Sequence, residues 1–298
     1  MDSHNENINN EHDIHVGEMH TEEHVSHEES HEEEHGHTLY AEPIGHIGNF
    51  TVTNSLLNSW LVVILLVIFA ISFKNKIKTI PGKLQSILEM VVEYLLGIFD
   101  SVTGDRKKSY KFFPLIFTFF IFILLNNWVG ILPGIGSIGK MGELEGHTVF
   151  IPFFRGATAD LNTTLALAII GIVASHIFGV LALGAWNYFN KFINIKAFLE
   201  IPKKVMKDPA VLIVNPIKAF IGLIEIIGEF SKMASLAFRL YGNIFAGEVL
   251  LASMSAILAF GVPIPFMFLE IIVGAVQALI FSVLVLSYFS VAVSEEEH

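Results

Sequence analysis

The chain contains no cysteine among its 298 residues, which excludes disulfides and thiolate-held metals. It has no lysine or arginine before Lys74. That absence excludes a secretory signal, which needs a basic start before an apolar core, and a mitochondrial transit peptide, which needs arginines. No GxxxxGK[ST] loop occurs, so the chain is not expected to make or hydrolyse ATP itself. No internal repeat is visible, which tells against the repeat-built folds of many secondary transporters. Charge is scarce: 16% of the residues are Asp, Glu, Lys or Arg and 53% are hydrophobic, with a mean hydropathy of +0.60. This is the composition of a membrane protein.

The charge that is present is unevenly placed. Residues 1–48 hold 13 of the 29 Asp and Glu and 10 of the 13 His. With little to bury and much charge, this stretch is expected to be a disordered, solvated tail on the external side. Its imidazoles and carboxylates could bind zinc or copper weakly, but neither a metal site nor a cofactor is assigned. The integral membrane domain is expected to occupy 49–298.

A helix that crosses hydrocarbon needs roughly 20 mostly apolar residues. Segments 56–73, 112–132, 161–186 and 264–293 meet that requirement. Residues 84–102 are amphipathic instead. Leu84, Ile87, Leu88, Val91, Leu95, Ile98, Phe99 and Val102 recur at helical spacing, with Gln85, Glu89, Glu93 and Asp100 opposite, as in a helix lying on a surface. The 51 residues of 210–260 would make a helix of about 77 Å at 1.5 Å per residue, against a hydrocarbon core of ~30 Å. Such a helix must tilt steeply, follow the surface or fold back, and Gly222, Gly228, Gly242 and Gly247 leave room for bends. The expected fold is therefore an all-α membrane protein. It has five crossing helices, two of them forming a long tilted hairpin, and one surface amphipathic helix.

Lysines and arginines set the orientation. Lys74 to Lys83 and Arg106 to Lys111 flank the surface helix, and Lys191 to Lys218 follow the third span. By the positive-inside rule both regions face the cytoplasm. The loop 133–160, with Lys140 and Arg155 alone, is then external. The amino terminus falls outside and the carboxyl terminus inside a bacterial inner membrane.

Few ionisable residues remain within the spans: Glu225, Glu229, Lys232, Arg239, Glu248, Glu270 and His176. A charge at mid-bilayer costs roughly 2.5–3.5 kcal/mol on insertion scales, so such residues usually have a task. Guanidinium stays protonated, so Arg239 can act as a fixed charge but not as a proton carrier. Glu225 precedes it by about four turns on the same face, roughly 21 Å away along the axis, and Asn243 nearly shares that face. Glu248 lies about 13.5 Å beyond it and half a turn round. Glu270 and Gln277 share a stripe on the last span. Structural readings stand beside these. Glu229 and Lys232 read as an i,i+3 ion pair, His176 as a hydrogen-bonded packing residue, and Trp60 and Trp128 as interface anchors. Arg239 itself could be an interhelical ion pair that holds the bundle.

The run IEIIGEFSKMASLAFRLYGNIFAGE, from Ile224 to Glu248, resembles the signature of subunit a of the rotary ATP synthase. NNWVGILPG at 126–134, TADLNTTLALA at 158–168 and the span carrying Gln277 support the resemblance, which covers 49–293. It implies a stator that presents a tilted hairpin to a rotating c-ring, with two offset half-channels kept apart by Arg239. It implies Glu248 and Glu270 on the outer half-channel, with Asp160 and Asn162 as polar lining near its mouth. Glu225 would lie on the cytoplasmic half-channel, while Asn243 and Gln277 support the arginine and the proton path. The implied partners are the c-ring, the peripheral-stalk b subunits, the other synthase subunits and the bilayer, with no nucleic acid. The sequence departs from the family pattern at Glu270, where some members carry histidine, and at Ala157, where a proline is familiar. A stand-alone ion-coupled transporter using Arg239 as a substrate anchor is the rival reading, and a purely structural scaffold is a third.

Overall fold

The computed structural model describes residues 41–144, 147–193, 211–258 and 261–294. The acidic tail up to residue 40 and the lysines Lys196, Lys203, Lys204 and Lys207 lie outside the described residues. Seven α-helices are described: α1 (Asn54–Lys74), α2 (Lys83–Thr103), α3 (Arg106–Ile131), α4 (Leu161–Leu183), α5 (Ala185–Ile193), α6 (Val211–Ile257) and α7 (Pro263–Val293). Five stretches among them are long and apolar enough to cross a membrane: Asn54–Lys74, Arg106–Ile131, Leu161–Leu183, Phe220–Ile257 and Pro263–Val293. α2 is not among them.

Two antiparallel hairpins add to the helical plan: β1 (Pro43–Ile47) with β2 (Phe50–Thr53), and β3 (Gly139–Leu144) with β4 (His147–Pro152). The first draws on residues that composition alone gives to the tail. A Gly48–Asn49 turn, with Gly48 at φ 64°, joins its strands, and such a Gly/Asn pair between apolar residues is a local hairpin signal. The hairpin is tied to α1 through Glu42. The amide of Asn54 donates to the Glu42 carbonyl at 3.1 Å, and the Glu42 amide donates to Asn54 Oδ1 at 3.2 Å.

Burial pushes the Glu42 carboxyl above its ordinary range, with the Arg155 charge opposing the shift. A raised folded-state value means that the folded chain holds this proton more tightly than the unfolded chain does. The associated stability is therefore complete below the ordinary carboxylate range and is lost as pH rises through the raised value. Hydrogen-exchange protection of the Asn54 amide is expected to fall over that window. In Glu42→Gln this pH dependence should vanish, and a slope that persists in the variant would assign it to another group.

The third span ends earlier than the expected 161–186. Gly184 adopts φ 83° after Leu183, and its amide donates to the Val180 carbonyl, a left-handed stop that favours glycine. Its hydrophobicity extends past this point, but the backbone redirects the following residues into α5. The stretch 210–260, for which tilting, running along the surface and folding back were all open, forms one 47-residue helix, α6, that continues through Gly222, Gly228, Gly242 and Gly247. At 1.5 Å per residue it is about 70 Å long. Packing on both sides of a glycine can hold a helix that propensity alone would weaken.

α3, α4, α6 and α7 build the core. Phe112, Ile116, Phe119 and Ile123 of α3 meet Phe281, Val285 and Phe289 of α7, with Ala168 of α4 and Leu236 and Leu240 of α6. Phe112 and Phe289 meet edge to face at 5.5 Å, the arrangement favoured by the ring quadrupoles. α2 joins through Leu95 and Phe99, whereas Leu84, Ile87, Met90 and Val91 in its first half remain exposed.

The end of α3 meets the loop before α4 at a glycine pair. A Cβ built on Gly130 would lie 2.7 Å from the Gly156 Cα and 3.0 Å from its amide nitrogen. Both obstacles are backbone and cannot rotate away. Gly130→Ala is expected to cost about 1–3 kcal/mol, as overpacking does, read as a lower unfolding midpoint in detergent. An unchanged midpoint would mean that this approach is not close in solution.

Candidate functional site

The polar residues of the spans fall into three groups along α6. The first is the exposed face around Arg239. Leu236, Ala237, Leu240, Tyr241 and Ile244 are buried against the bundle, so helical geometry turns Ser235, Phe238, Arg239, Asn243 and Ala246 outward, where they are exposed. Among the described residues no ion pair or hydrogen bond reaches the Arg239 guanidinium. An arginine holding the bundle together would face inward and be paired. Asn243, one turn on, donates from Nδ2 to Gln277 Oε1 at 2.6 Å. Gln277 is only 2% exposed, and this bond joins α6 to α7 next to the arginine.

The second group lies towards the end of α6. Glu248 Oε2 accepts from Arg155 Nε at 3.0 Å and lies 3.0 Å from Arg155 Nη2, a close ion pair carried by one hydrogen bond. Sequence reasoning counted Arg155 only as one of two basic residues in its loop. The signal that could have singled it out is that a cation next to apolar Phe153 and Phe154 needs an anion if it is to be buried. Glu270, 6% exposed, lies directly over Gly247. A Cβ on that glycine would be 2.1–2.3 Å from its carboxylate atoms. Glu248 and Glu270 are thus brought to adjacent residues of one helix.

Asp160, expected as polar lining of the outer half-channel, is buried. It caps α4, accepting from the Asn162 amide at 3.1 Å, and it also accepts from Ser55 Oγ at 3.1 Å. An N-cap carboxylate satisfies amides that a helix leaves unpaired, so Asp160 fixes where α4 starts and ties it to α1. Asn162, two residues on, is exposed. Ala157, in place of the familiar proline, is buried in a short 3-10 turn. Beside it Thr158 Oγ1 donates to Asn127, and Asn127 Nδ2 donates to the Gly274 carbonyl at 3.0 Å. Trp128 donates its indole N–H to the Ile271 carbonyl at 3.1 Å, so it serves the α3–α7 contact as well as the exposed position expected of it.

The third group lies towards the start of α6. Glu229 and Lys232 form the expected pair at 2.7 Å, with the ammonium 5.5 Å from the centre of the Tyr288 ring. His176 of α4 bridges outward from this pair: Nε2 is 3.7 Å from Glu229 Oε2 and Nδ1 is 2.6 Å from the Tyr188 hydroxyl. Burial, and then the charges of Glu229 and Glu225, push the Tyr188 hydroxyl up to about 12. Tyr188 escaped sequence reasoning because it lies just past the span expected to end at 186. Glu225 lies one turn before Glu229 and is half-buried. Among the described residues no three His, Asp or Glu side chains converge as metal ligands would.

Residues 56–290 match the family model described as the ATP synthase A chain. Similar proteins include the ATP synthase subunit a of Moorella thermoacetica, 29% identical over 249 residues, covering 83% of this chain and 94% of the relative. That of Trichlorobacter lovleyi is 31% identical, with 81% and 88% covered. The chloroplastic ATP synthase subunit a of Stigeoclonium helveticum is 31% identical, with 82% and 85% covered.

Proposed function

The chain belongs to the ATP synthase A chain family, as a multi-pass, proton-translocating subunit of the membrane sector that is not catalytic alone. From that premise we propose that Arg239 is the fixed charge separating two half-channels that open onto a ring of c subunits. The observation that carries this reading is a permanent cation, unpaired among the described residues, on an outward face of a membrane-crossing helix. Its cost in hydrocarbon, roughly 2.5–3.5 kcal/mol or more, is relieved when an anion from another chain comes to it. A ring carboxylate is such an anion.

An ionised ring carboxylate is costly against lipid and must be protonated to face it. Near Arg239 the charged form is favoured, so the carboxyl gives up its proton to the outlet. The arginine's own proton does not leave, so no proton hops directly from one half-channel to the other. Glu248 and Glu270, with Asp160 and Asn162 further out, line the half-channel open to the outside. Glu225 belongs to the cytoplasmic half-channel, and Asn243 and Gln277 hold the face beside the arginine. A helix of about 70 Å in ~30 Å of hydrocarbon must tilt or run partly along the surface, which brings a long stretch of α6 alongside a ring. Orientation follows the basic residues, with the amino terminus outside and the carboxyl terminus cytoplasmic. The peripheral-stalk b subunits would hold this stator against torque.

The absence of cysteine provides the test. Single cysteines at Ser235, Ala246 or Leu240, each paired with a cysteine on the ring-facing helix of c, are oxidised in membranes containing the assembled complex. Ser235→Cys and Ala246→Cys are expected to cross-link to c and the buried Leu240→Cys is not. Cross-linking from Leu240→Cys alone would turn the ring to another face and remove this assignment.

A further inference from the structure

Three polar side chains from three different helices form a chain that the preceding reading leaves without a task. Glu229 projects from α6, His176 from α4 and Tyr188 from α5. His176 is the sole ionisable residue in Leu161–Leu183, where a polar group needs a partner or a function to offset its insertion cost. Its ring lies between two oxygens, 2.6 Å from the Tyr188 hydroxyl and, at ion-pair distance, 3.7 Å from Glu229 Oε2. Tyr188 is buried and held in place. A Cβ on Gly179 would lie 2.3 Å from its ring, so the phenol is wedged against the α4 backbone.

We propose that Glu229, His176 and Tyr188 are a proton wire that leads from the α6 face bearing Glu225 to α5. The proposal rests on the stator reading, which gives this end of α6 to the cytoplasmic half-channel. In the Nδ1–H tautomer His176 donates to the Tyr188 oxygen and presents Nε2 to Glu229. Nε2 takes the proton of a Glu229 carboxylic acid while the Nδ1 proton passes to the tyrosine oxygen. Tyrosine releases its own hydroxyl proton to water. A proton arriving from the Glu225 face protonates the Glu229 carboxylate before each transfer, so one proton enters and one leaves, and the imidazole, left as its Nε2–H tautomer, returns to the Nδ1–H form by proton exchange with water. The same steps in reverse serve ATP-driven pumping.

Among the described residues, Glu229 of α6 and Tyr188 of α5 lie against the imidazole, Lys232 of α6 pairs with Glu229 over the Tyr288 ring of α7, and the Glu225 charge reaches Tyr188 from α6. Lys232 pairs with the Glu229 carboxylate at 2.7 Å between transfers. The high value of the tyrosine hydroxyl suits a group that passes a proton while staying neutral. A packing clamp made of the same residues would need the ring shapes alone, and chemistry separates the two.

The test is ATP-driven pumping by the assembled complex in inverted vesicles, with assembly checked for each variant. Tyr188→Phe keeps the ring and removes the hydroxyl. His176→Ala opens space that imidazole added to the buffer can enter. Each is expected to slow pumping roughly 10- to 100-fold, up to the low end of what a positioned acid–base group contributes, and imidazole should restore part of the His176→Ala rate. An unmodified rate in Tyr188→Phe, or no gain from imidazole in an assembled His176→Ala complex, overturns the wire. If His176→Ala does not assemble, Tyr188→Phe decides alone. Arg239→Ala in parallel vesicles separates the two readings. Pumping that survives there removes the stator reading, whereas its loss there with normal pumping in Tyr188→Phe removes the wire only.

Discussion

Arg239→Ala is expected to abolish ATP-driven proton pumping in inverted vesicles while the synthase still assembles. Assembly should survive because the arginine faces outward and, among the described residues, holds no neighbour. Its removal opens no cavity in the bundle and strands no buried partner, the usual sources of a large destabilisation. Pumping should fail because nothing then discharges the ring carboxylate or keeps the half-channels apart. Arg239→Lys is the sharper variant. It keeps a positive charge, but ammonium is a compact, strongly hydrated ion that loses its proton when desolvated. A residue that can release its proton becomes a stepping stone for the leak it should prevent. Arg239→Lys is therefore expected to assemble and to pump at a small fraction of the unmodified rate. Pumping that persists in Arg239→Ala would show the arginine to be at most structural, and the stator mechanism would be wrong.

Gly247→Ala should have the second-largest effect for a change of one methyl group. The Glu270 carboxylate occupies the space that the new Cβ would take, with all three of its heavy atoms within 2.1–2.3 Å of it. Atoms cannot approach so closely, and α6 is held along the same buried face by Leu240 and Ile244. The flexible partner moves, so the carboxylate leaves its place beside Glu248. Misplacing a reacting group by about 1 Å can cost on the order of 100-fold, and pumping should fall by a factor of that order with assembly nearly normal. Glu270→Gln supplies the control. If the glycine acts through the position of that carboxylate, Gly247→Ala adds little to the loss in Glu270→Gln, the non-additivity expected of residues in contact. Fully additive losses would mean that the glycine matters for another reason.

Much of this arrangement is legible in a single sequence, because it rests on local physics. Length and hydropathy locate the spans, since a helix in hydrocarbon must satisfy its own backbone. A period of about 3.6 residues places Asn243 on nearly the same face as Arg239 and Glu248 on another. The i,i+3 spacing is enough to pair Glu229 with Lys232. Where reading along the chain failed, the missing information was conformational or distant. Gly184 could have sat inside a helix or ended one, and its φ of 83° settles the matter by redirecting the chain into α5. Gly48 made a turn where acidic and histidine-rich surroundings pointed to a tail.

Sequence physics alone thus yields an all-helical membrane chain with a permanent cation on a long helix and a small set of ionisable residues along it, because each of those features depends on neighbours within a few turns. It does not say that Arg155 meets Glu248 from 93 residues away, that Glu270 rests on Gly247, or that His176 reaches both Tyr188 and Glu229. Those pairings arise when helices pack, and packing is chosen by the whole set of facing side chains together. A buried charge accepts whichever counter-charge the fold brings within reach, so its partner is a property of the assembled bundle.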